Sequence, residues 1–360
     1  MHYDVFNGDA DGITALLQIY FSENINVNAL QPSNGLLPKR KLITGVKRDI
    51  SLLRQVDVTI ATSVTVLDIS MEKNIAPLSA LLERKVPVLY SDHHRTGDIP
   101  SSSFLTTLID TQPNTCTSLL VNQTLKGAYH LWAITGAFGD NMFASASALA
   151  DEVGLSKGQQ EQLKKLGTYI NYNGYGQDVS DLHFHPKTLF EKLLQYPNPF
   201  DLISESGSLY EQLENAYLSD MTKASSAKVI EDNEIFSIYL LPNAAWSKRV
   251  SGVFGNDLAN KNPDKAHVVL TLNTSLADSA ESSAQKQVKK EESYTLSLRA
   301  PLNNKQYASD VCAAFETGGG RAAAAGVNVL PISELDRFIK LMHQFYSSSD
   351  CSSAHKTALL

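Results

Sequence analysis

Acidic residues and histidines follow short apolar runs in the first part of this sequence. They are Asp9 and Asp11 after the run at 3–6, Asp68 at the end of a Val- and Thr-rich run, and Asp92-His93-His94 after the run at 86–90. Asp140, next to Gly139, adds a fourth acidic site. If the runs are parallel strands, their carboxyl ends meet at one edge of a sheet, which is where ligands bind. Carboxylate oxygens with one imidazole suit Mn²⁺ or Mg²⁺ better than Zn²⁺, which favours thiolate and more nitrogen.

The chemistry that such a centre predicts is hydrolysis of a phosphate ester. Two hard cations about 3.5–4 Å apart can bind a bridging hydroxide and flank an in-line attack on phosphorus. The same charges would stabilise the oxygen that leaves.

Each acidic motif also has a simpler structural interpretation. Asp9 with Gly12 could be a helix N-cap followed by a turn glycine. Asp68 could cap a helix, Asp140 could be a turn residue, and a tandem His pair can be a surface feature. A calcium loop of the helix–loop–helix type is disfavoured, because the twelfth position from Asp9 is Tyr20 and not a bidentate Glu.

A second group of candidate residues lies near the C-terminus. It consists of Gly318, Gly319, Gly320 and Arg321, followed by four alanines. We interpret the alanines as the start of a helix, whose exposed N–H groups would bind an anion. Arg321 would add a bidentate contact to a phosphate or a base edge, and Arg299 is a second candidate for a phosphate contact. The alternatives are a glycine hinge packed on a neighbouring helix, and a surface arginine.

The elements that must position these residues alternate between strand and helix over the first 150 residues. Strands are predicted at 3–6, within 57–67, at 86–90 and at 104–110, and helices at 13–21, at 75–82 and from 115. This rhythm is typical of a parallel sheet with helices on its faces.

The rest of the chain is predicted to be helical first and then to form a second sheet. Helices are expected at 156–166 and 209–228, with a loop at 171–176 between them. Strands at 234–240, 267–272 and 294–298 indicate a smaller mixed or antiparallel sheet. The Ser-, Ala-, Lys- and Glu-rich segment at 273–292 is expected to be an exposed or mobile insertion.

Composition excludes several classes of protein. The net charge of −7 over 360 residues disfavours a protein that grips long nucleic acid, since such footprints are usually basic. The three cysteines, Cys116, Cys312 and Cys351, have no CxxC spacing, which fits a reducing compartment. No apolar run reaches transmembrane length, and the first residues lack the basic start of a signal peptide. We therefore expect a cytoplasmic protein with no membrane partner.

At these residues the chain resembles the DHH phosphoesterase superfamily, in the branch with a DHHA1 C-terminal domain. The matching motifs run in the family's order: Asp9-x-Asp11-Gly12, Asp68, Asp92-His93-His94, Gly139-Asp140, Ser297-Leu298-Arg299, and Gly318-Gly319-Gly320-Arg321 followed by Ala324-Ala325-Gly326. The resemblance implies an α/β protein with a two-Mn²⁺ site in the first domain, a nucleotide-binding second domain, and the substrate in the cleft between them. Mg²⁺ is an alternative ion.

The resemblance also implies roles for individual residues. Metal ligands would be Asp9, Asp11, Asp68, His93 and Asp140, while Asp92 would support the site and His94 would face the phosphate. Arg299 and the segment from Gly318 to Arg321 would bind the substrate. Two positions depart from the family's pattern. Val5 replaces a histidine ligand that many members have, although RecJ-like members also lack it, and Arg321 replaces the usual histidine after the three glycines.

The domain organisation expected on this basis has four parts. They are a DHH catalytic domain at 1–190, a helical linker at 191–233, a DHHA1 substrate-binding domain at 234–346, and a disordered tail at 347–360.

The expected function is that of a Mn²⁺-dependent phosphodiesterase, resembling an oligoribonuclease in its substrates. It would hydrolyse short 5′-phosphorylated oligonucleotides, especially linear dinucleotides such as pGpG, to mononucleotides, as in cyclic di-GMP degradation or nanoRNA turnover. The preference for guanine rests on Arg321. The alternatives are a pAp 3′-phosphatase with the same metals and a non-catalytic nucleotide sensor. A homodimer is left open.

Overall fold

The structure is a computed structural model that describes residues 1–25, 40–274 and 292–347. The expected insertion and C-terminal tail therefore lie almost entirely outside the described residues. The chain divides into two compact units, Met1–Tyr217 and Leu218–Leu360. The division falls inside one helix, Leu209–Ala224.

The first unit is built on a sheet of five parallel strands. In chain order they are β1 (His2–Phe6), β2 (Arg40–Ile43), β3 (Ser63–Leu67), β4 (Val88–Asp92) and β5 (Leu105–Ile109). Their order in the sheet is β2-β1-β3-β4-β5, and every neighbouring pair is parallel. Phe6 lies opposite Leu67, and Leu67 lies opposite Ser91. This register places the residues that follow β1, β3 and β4 at the same edge.

The first unit also contains helices, the last of which continues into the second unit. They are α1 (Ala10–Ser22), α2 (Ile75–Glu83), α3 (Thr117–Thr124), α4 (His130–Gly139), α5 (Phe143–Glu152), α6 (Lys157–Gly174), α7 (Pro186–Leu193), α8 (Pro199–Ser204) and α9 (Leu209–Ala224). The largest core packs fully buried side chains from several of these elements, including Phe6, Leu16, Trp132, Ile170 and Phe190. Burial of one such side chain stabilises the fold by about 1.5–3 kcal/mol.

Helix α6 is longer than the sequence predicted. It begins with a capping box between Ser156 and Gln159, and it continues to Gly174, so the predicted loop at 171–176 is wrong for its first four residues. Ile170 and Tyr172 are fully buried in this last part of the helix. Packing of these side chains outweighs the low helix propensity of the Asn and Gly residues around them.

The second unit contains a mixed sheet of six strands. Its elements are β6 (Lys228–Asp232), β7 (Phe236–Leu241), α10 (Ala245–Lys261), β8 (Ala266–Thr274), β9 (Glu292–Arg299), α11 (Ala308–Ala313), β10 (Gly318–Gly320), β11 (Ala324–Pro331) and α12 (Leu335–Ser347). The sheet order is β10-β11-β9-β8-β7-β6, in which only β7 and β8 are parallel. Its core includes Phe236, Val268, Leu296, Phe338 and Met342.

The α/β architecture expected from the sequence, with a parallel sheet followed by a mixed one, is confirmed. The second sheet was expected to be the smaller, but among the described residues it has six strands and the first has five. None of the helices in the described part of the chain combines the length and the hydropathy that a membrane crossing needs.

The predicted helix after the three glycines is wrong. Gly318–Gly320 forms β10, which pairs with the strand Ala324–Pro331 across a tight turn. Ala325 and Val327 are buried where β11 pairs with β9, and this burial outweighs the helix propensity of alanine. A Cβ at Gly318 would lie 1.7 Å from the carbonyl oxygen of Cys312, so glycine is required there for close backbone approach. The segment therefore offers no helix N-terminus to an anion.

Candidate metal centre

Four carboxylates and one imidazole converge beyond the carboxyl edge of the first sheet. Asp9 is the N-cap of α1 just after β1, and Asp11 lies in the first turn of that helix. Asp68 follows β3, His93 follows β4, and Asp140 is the C-cap of α4. The structure thus brings together, within its first unit, the whole set that the sequence suggested as ligands.

His93 is held so that one ring nitrogen faces the carboxylates. Its Nδ1 lies 3.0 Å from the carbonyl oxygen of Thr115, which can only accept, so Nδ1 carries the hydrogen. Its Nε2 lies 3.4 Å from Oδ1 of Asp68, 3.6 Å from Oδ2 of Asp140 and 3.9 Å from Oδ2 of Asp11. A histidine that donates from one nitrogen to a carbonyl and presents the other to acidic groups is typical of metal ligation.

Asp11 ties the centre to the start of α3. Its Oδ2 accepts a hydrogen bond of 2.8 Å from the backbone N–H of Thr117, and its Oδ1 accepts one of 2.7 Å from Ser118. These N–H groups are unpaired within α3, because they belong to its first turn. The positive end of that helix therefore helps to hold a fully buried carboxylate.

Asp68 is held in a backbone conformation that few residues adopt. Its φ is 59°, in the left-handed region, where Asp and Asn are the best tolerated residues after glycine. Its backbone N–H donates to the carbonyl of Ser91, so its place is fixed by the neighbouring strand. Burial and the nearby carboxylates of Asp9 and Asp11 raise the pKa of Asp68 well above its ordinary value. Without a cation, this cluster of like charges is costly.

Close helix packing sets the position of Asp140. A Cβ at Gly139 would lie 2.3 Å from Cβ of Ala10 and 2.8 Å from the carbonyl oxygen of Gly167. Only glycine therefore allows α4 to approach α1 and α6 this closely. The approach brings the C-cap of α4 to the acidic start of α1.

Lys47 is a part of the centre that sequence reasoning missed. Its Nζ lies 2.6 Å from Oδ2 of Asp9, 3.1 Å from Oδ1 of Asn171 and 3.3 Å from Oδ1 of Asp140. Burial opposes the charge of Lys47, but the attraction of Asp9 prevails and raises its pKa well above the usual range. The pKa of Asp9, which burial alone would raise, is lowered by the charge of Lys47. No local pattern in the sequence marks either Lys47 or Asn171, because each reaches the site through tertiary contacts.

His94 lies at the edge of the centre and is paired with Asp92. Its Nδ1 is 2.8 Å from Oδ1 of Asp92, which is fully buried at the end of β4. The His94 side chain is 38% exposed, compared with 16% for Asp140, while the side chains of Asp68 and His93 are buried. Burial lowers the pKa of His94, but the hydrogen bond to Asp92 and the charge of Asp68 raise it overall. This imidazole is therefore a good candidate to carry a proton toward an anionic ligand.

The donor atoms fit a hard divalent cation. In the part of the chain that the structure describes, two overlapping groups have potential ligand atoms within 4.8 Å of one another: Asp68, His93 and His94, and Asp11, His93 and Asp140. Oxygen donors are the majority in the second group, and also in the full set of four carboxylates and His93, whereas the first group pairs one carboxylate with two imidazoles. Cys116, the nearest thiol, has a pKa raised well above normal by burial and by Asp11. A thiol held in its neutral form is a poor ligand. The set suits Mn²⁺ or Mg²⁺ better than Zn²⁺.

Apart from His94, the predicted substrate-binding residues belong to the second unit. Arg321 is exposed at the turn between β10 and β11, where its backbone pairs with that of Ala324. Arg299 ends β9 opposite Ala324, so both arginines lie at the same end of the second sheet. The guanidinium of Arg299 donates to Oδ1 of Asn256, to Oγ of Ser297 and to backbone carbonyls, which fixes its orientation.

Three histidines outside the metal centre have structural roles. His183 lies 2.9 Å from the hydroxyl of Tyr172, and His185 is the N-cap of α7, so neither belongs to the metal centre. His267 is buried between Ser237 and the carbonyl of Asn262.

Comparison with solved structures shows which fold this is. The manganese-bound exonuclease RecJ superposes with a TM-score of 0.55 at 14% identity, over 96% of this chain and 90% of that one. RecJ from Thermus thermophilus in complex with Mn²⁺ gives 0.52 at 14% identity, over 96% of this chain and 52% of that one, so the chain spans about half of it. A pGpG-specific phosphodiesterase, PggH from Vibrio, gives 0.47 at 12% identity, over 96% and 98% of the two chains.

Comparison of sequences finds no relative of this chain. No protein-family model and no curated protein matches the sequence. At these identities the likeness to solved structures shows the fold alone.

Proposed function

We propose that this chain, which has the RecJ-like fold of the DHH superfamily, is a metal-dependent phosphodiesterase. The observation that carries the proposal is the orientation of His93, whose Nε2 faces the carboxylates of Asp11, Asp68 and Asp140 within 3.9 Å. A buried cluster of like charges is expensive to maintain, and it is expected where a divalent cation balances it.

The residues that would hold Mn²⁺, with Mg²⁺ as the alternative, are Asp9, Asp11, Asp68, His93 and Asp140. When bound, the cation would supply Lewis-acid activation of the phosphoryl group and lower the pKa of water. The protein's own part is to fix these ligands. Thr115 sets the tautomer of His93, and the start of α3 holds both oxygens of Asp11.

His94 and Asp92 would act on the substrate phosphate. Asp92 accepts the Nδ1–H of His94 and favours the protonated imidazole, which leaves the Nε2–H as a donor for a phosphate oxygen. The interaction is charge-assisted and would strengthen as negative charge builds on the phosphate. The His94 side chain is more exposed than that of Asp140 or of the buried carboxylates, as a residue that meets substrate should be.

The proposed substrates are short 5′-phosphorylated oligonucleotides, with linear dinucleotides such as pGpG foremost, which would be cleaved to mononucleotides. The net charge of −7 supports a short substrate, because long polyanions gain most of their affinity from extended basic surfaces. Arg321 supports a phosphate or guanine contact, since a guanidinium can bind either in a bidentate manner.

A substrate panel tests the function. Purified protein with Mn²⁺ would be incubated with 5′-phosphorylated dinucleotides, longer oligomers and pAp, and the products would be separated by chromatography. We expect mononucleotides from the dinucleotides at the highest rate, and no product from His93→Ala. Equal rates at all lengths would refute the short-substrate proposal, and preferred release of phosphate from pAp would indicate a phosphatase. Tight nucleotide binding without turnover would indicate a sensor.

The role of Arg321 needs its own variants. Because the residue is exposed on a turn, Arg321→His and Arg321→Ala should fold normally. Loss of a bidentate base contact costs about 1–3 kcal/mol of discrimination, which corresponds to a roughly 5–150-fold change in the preference for pGpG over pApA. If Arg321→His keeps the same ranking of substrates, Arg321 does not select the base.

A further inference from the structure

The ammonium of Lys47 sits among oxygens that could otherwise ligate a cation. It has three N–H donors and three acceptors within 3.3 Å, contributed by Asp9, Asn171 and Asp140. This arrangement satisfies the ammonium completely and uses one oxygen of each carboxylate.

The segment that contains Lys47 is fixed by further contacts. The backbone N–H of Lys47 donates to the carbonyl of Gly174 over 2.9 Å, and its Nζ lies 5.6 Å from the centroid of the Tyr175 ring. A Cβ at Gly8 would lie 2.0 Å from the carbonyl oxygen of Gly45, so this segment packs directly against the residue before Asp9. The backbone contacts of Lys47 with Gly174 and of Gly45 with Gly8 therefore fix the position of the ammonium.

Asp140 divides its two oxygens between Lys47 and His93. Its Oδ1 lies 3.3 Å from the ammonium, and its Oδ2 lies 3.6 Å from Nε2 of His93. A carboxylate that bridges two metal ions uses its oxygens in the same way. Here the ammonium of Lys47 already takes the place of one of the two cations that Asp140 would bridge. Val5, at the position where many members of the family have a further histidine ligand, is buried in the apolar core.

We propose that Lys47 takes the place of one of two divalent cations, so that the centre binds a single metal ion per chain. The remaining ion would use Asp11, Asp68, His93 and the second oxygen of Asp140. Lys47 supplies the other positive charge, occupies one oxygen each of Asp9 and Asp140, and repels a second divalent ion from the same oxygens. This inference rests on the proposed metal-dependent function.

The number of bound ions tests the inference without any assay of activity. Native mass spectrometry and isothermal titration of metal-free protein with Mn²⁺ should give about one ion per chain. Electron paramagnetic resonance should show an isolated Mn²⁺, without the exchange coupling of a pair roughly 3.5–4 Å apart. Binding of two ions by the unaltered protein would overturn the proposal.

Variants at Lys47 test whether its ammonium is what excludes a second metal ion. Lys47→Ala removes the charge and opens space beside Asp9, and we expect it to bind a second Mn²⁺ with exchange coupling. Lys47→Arg keeps the charge and should stay at one ion. If Lys47→Ala is folded by circular dichroism and still binds one ion, the ammonium is not what excludes the second. If Lys47→Ala fails to fold, Lys47→Met, which preserves most of the side-chain volume, takes its place with the same expected result.

The outcome separates this inference from the proposed function. One Mn²⁺ in the unaltered protein and two in Lys47→Ala, with no turnover of any phosphodiester, would support the role of Lys47 and reject the enzymatic proposal. Turnover of a phosphodiester by unaltered protein that binds two ions would support the enzymatic proposal and reject the role of Lys47.

Discussion

Oδ1 of Asp68 lies 3.4 Å from Nε2 of His93, and both side chains are buried. The carboxylate stands at a left-handed backbone position among other carboxylates, and its pKa is raised by burial, Asp9 and Asp11. Function and stability should therefore conflict at this residue. The ionised form that a metal needs is the form that the metal-free protein tolerates least.

Asp68→Asn should stabilise the metal-free protein and abolish activity. Asparagine accepts the left-handed conformation as well as aspartate does, so the substitution removes charge without adding strain. A raised carboxyl pKa stabilises the folded state at low pH, and this contribution is lost as the pH rises through the folded pKa. The charge penalty therefore grows as the pH rises above the ordinary carboxyl pKa. We expect a melting temperature in EDTA higher by about 2–4 °C, as about 1 kcal/mol gives for a domain of this size.

Mn²⁺ provides the control for Asp68→Asn. Saturating Mn²⁺ should raise the melting temperature of the unaltered protein, by the equivalent of about 2.7 kcal/mol at 100 times the dissociation constant. The variant should respond weakly. A metal-free variant that melts lower than the unaltered protein would contradict this account of the acidic cluster.

Asp92→Asn should impair turnover and leave metal binding nearly unchanged. Asp92 contacts His94 and lies behind the ligands, so its loss mainly changes the orientation and the protonation of that imidazole. Loss of such a supporting contact typically costs about 10–100-fold. Steady-state kinetics would show whether kcat falls while the affinity for Mn²⁺ stays within a few-fold. His94→Gln should cost a similar factor, and the double variant should be little worse than either one.

Gly139→Ala should destabilise the first unit and lower activity together. The added Cβ meets Ala10 and the backbone of Gly167, so α4 must move, and Asp140 moves with it. Overpacking of this kind costs about 1–3 kcal/mol, which exceeds the gain of about 1 kcal/mol in helix propensity. Gly158→Ala is the matched control, because it lies near the start of α6 with nothing within 4 Å. Chemical denaturation should show the control equal to or more stable than the unaltered protein.

The second unit should lose stability in mild acid because of His267. Its Nε2 donates to the carbonyl of Asn262 and its Nδ1 accepts from Ser237, so the ring is neutral. Burial lowers the pKa of His267 below its ordinary value of 6.5. The unfolded chain therefore takes up more protons as the pH falls below that value, and folding weakens. Thermal melts from about pH 7.5 to about pH 5.5 should show a smaller loss for His267→Gln than for the unaltered protein.

The sequence by itself determined the type of fold and the candidate ligands of the centre. Asp9, Asp68 and His93 each follow an apolar run, and parallel strands place such residues at one edge whatever the details of packing. The residue types alone indicated a hard cation, because the preferences of metal ions depend on donor atoms.

Only the tertiary structure decided the partners of those ligands. Lys47 and Asn171 reach Asp9 from segments distant in sequence, and no local period or motif encodes such contacts. The segment from Gly318 to Gly326 also could not be predicted from local sequence. Its alanines favour a helix by propensity, but strand pairing with β9 stabilises them more. Local sequence fixes which side chains are present at the edge of a sheet. Packing between distant elements fixes which charges meet there, and in this protein it places a lysine among the carboxylates that the sequence had marked as metal ligands.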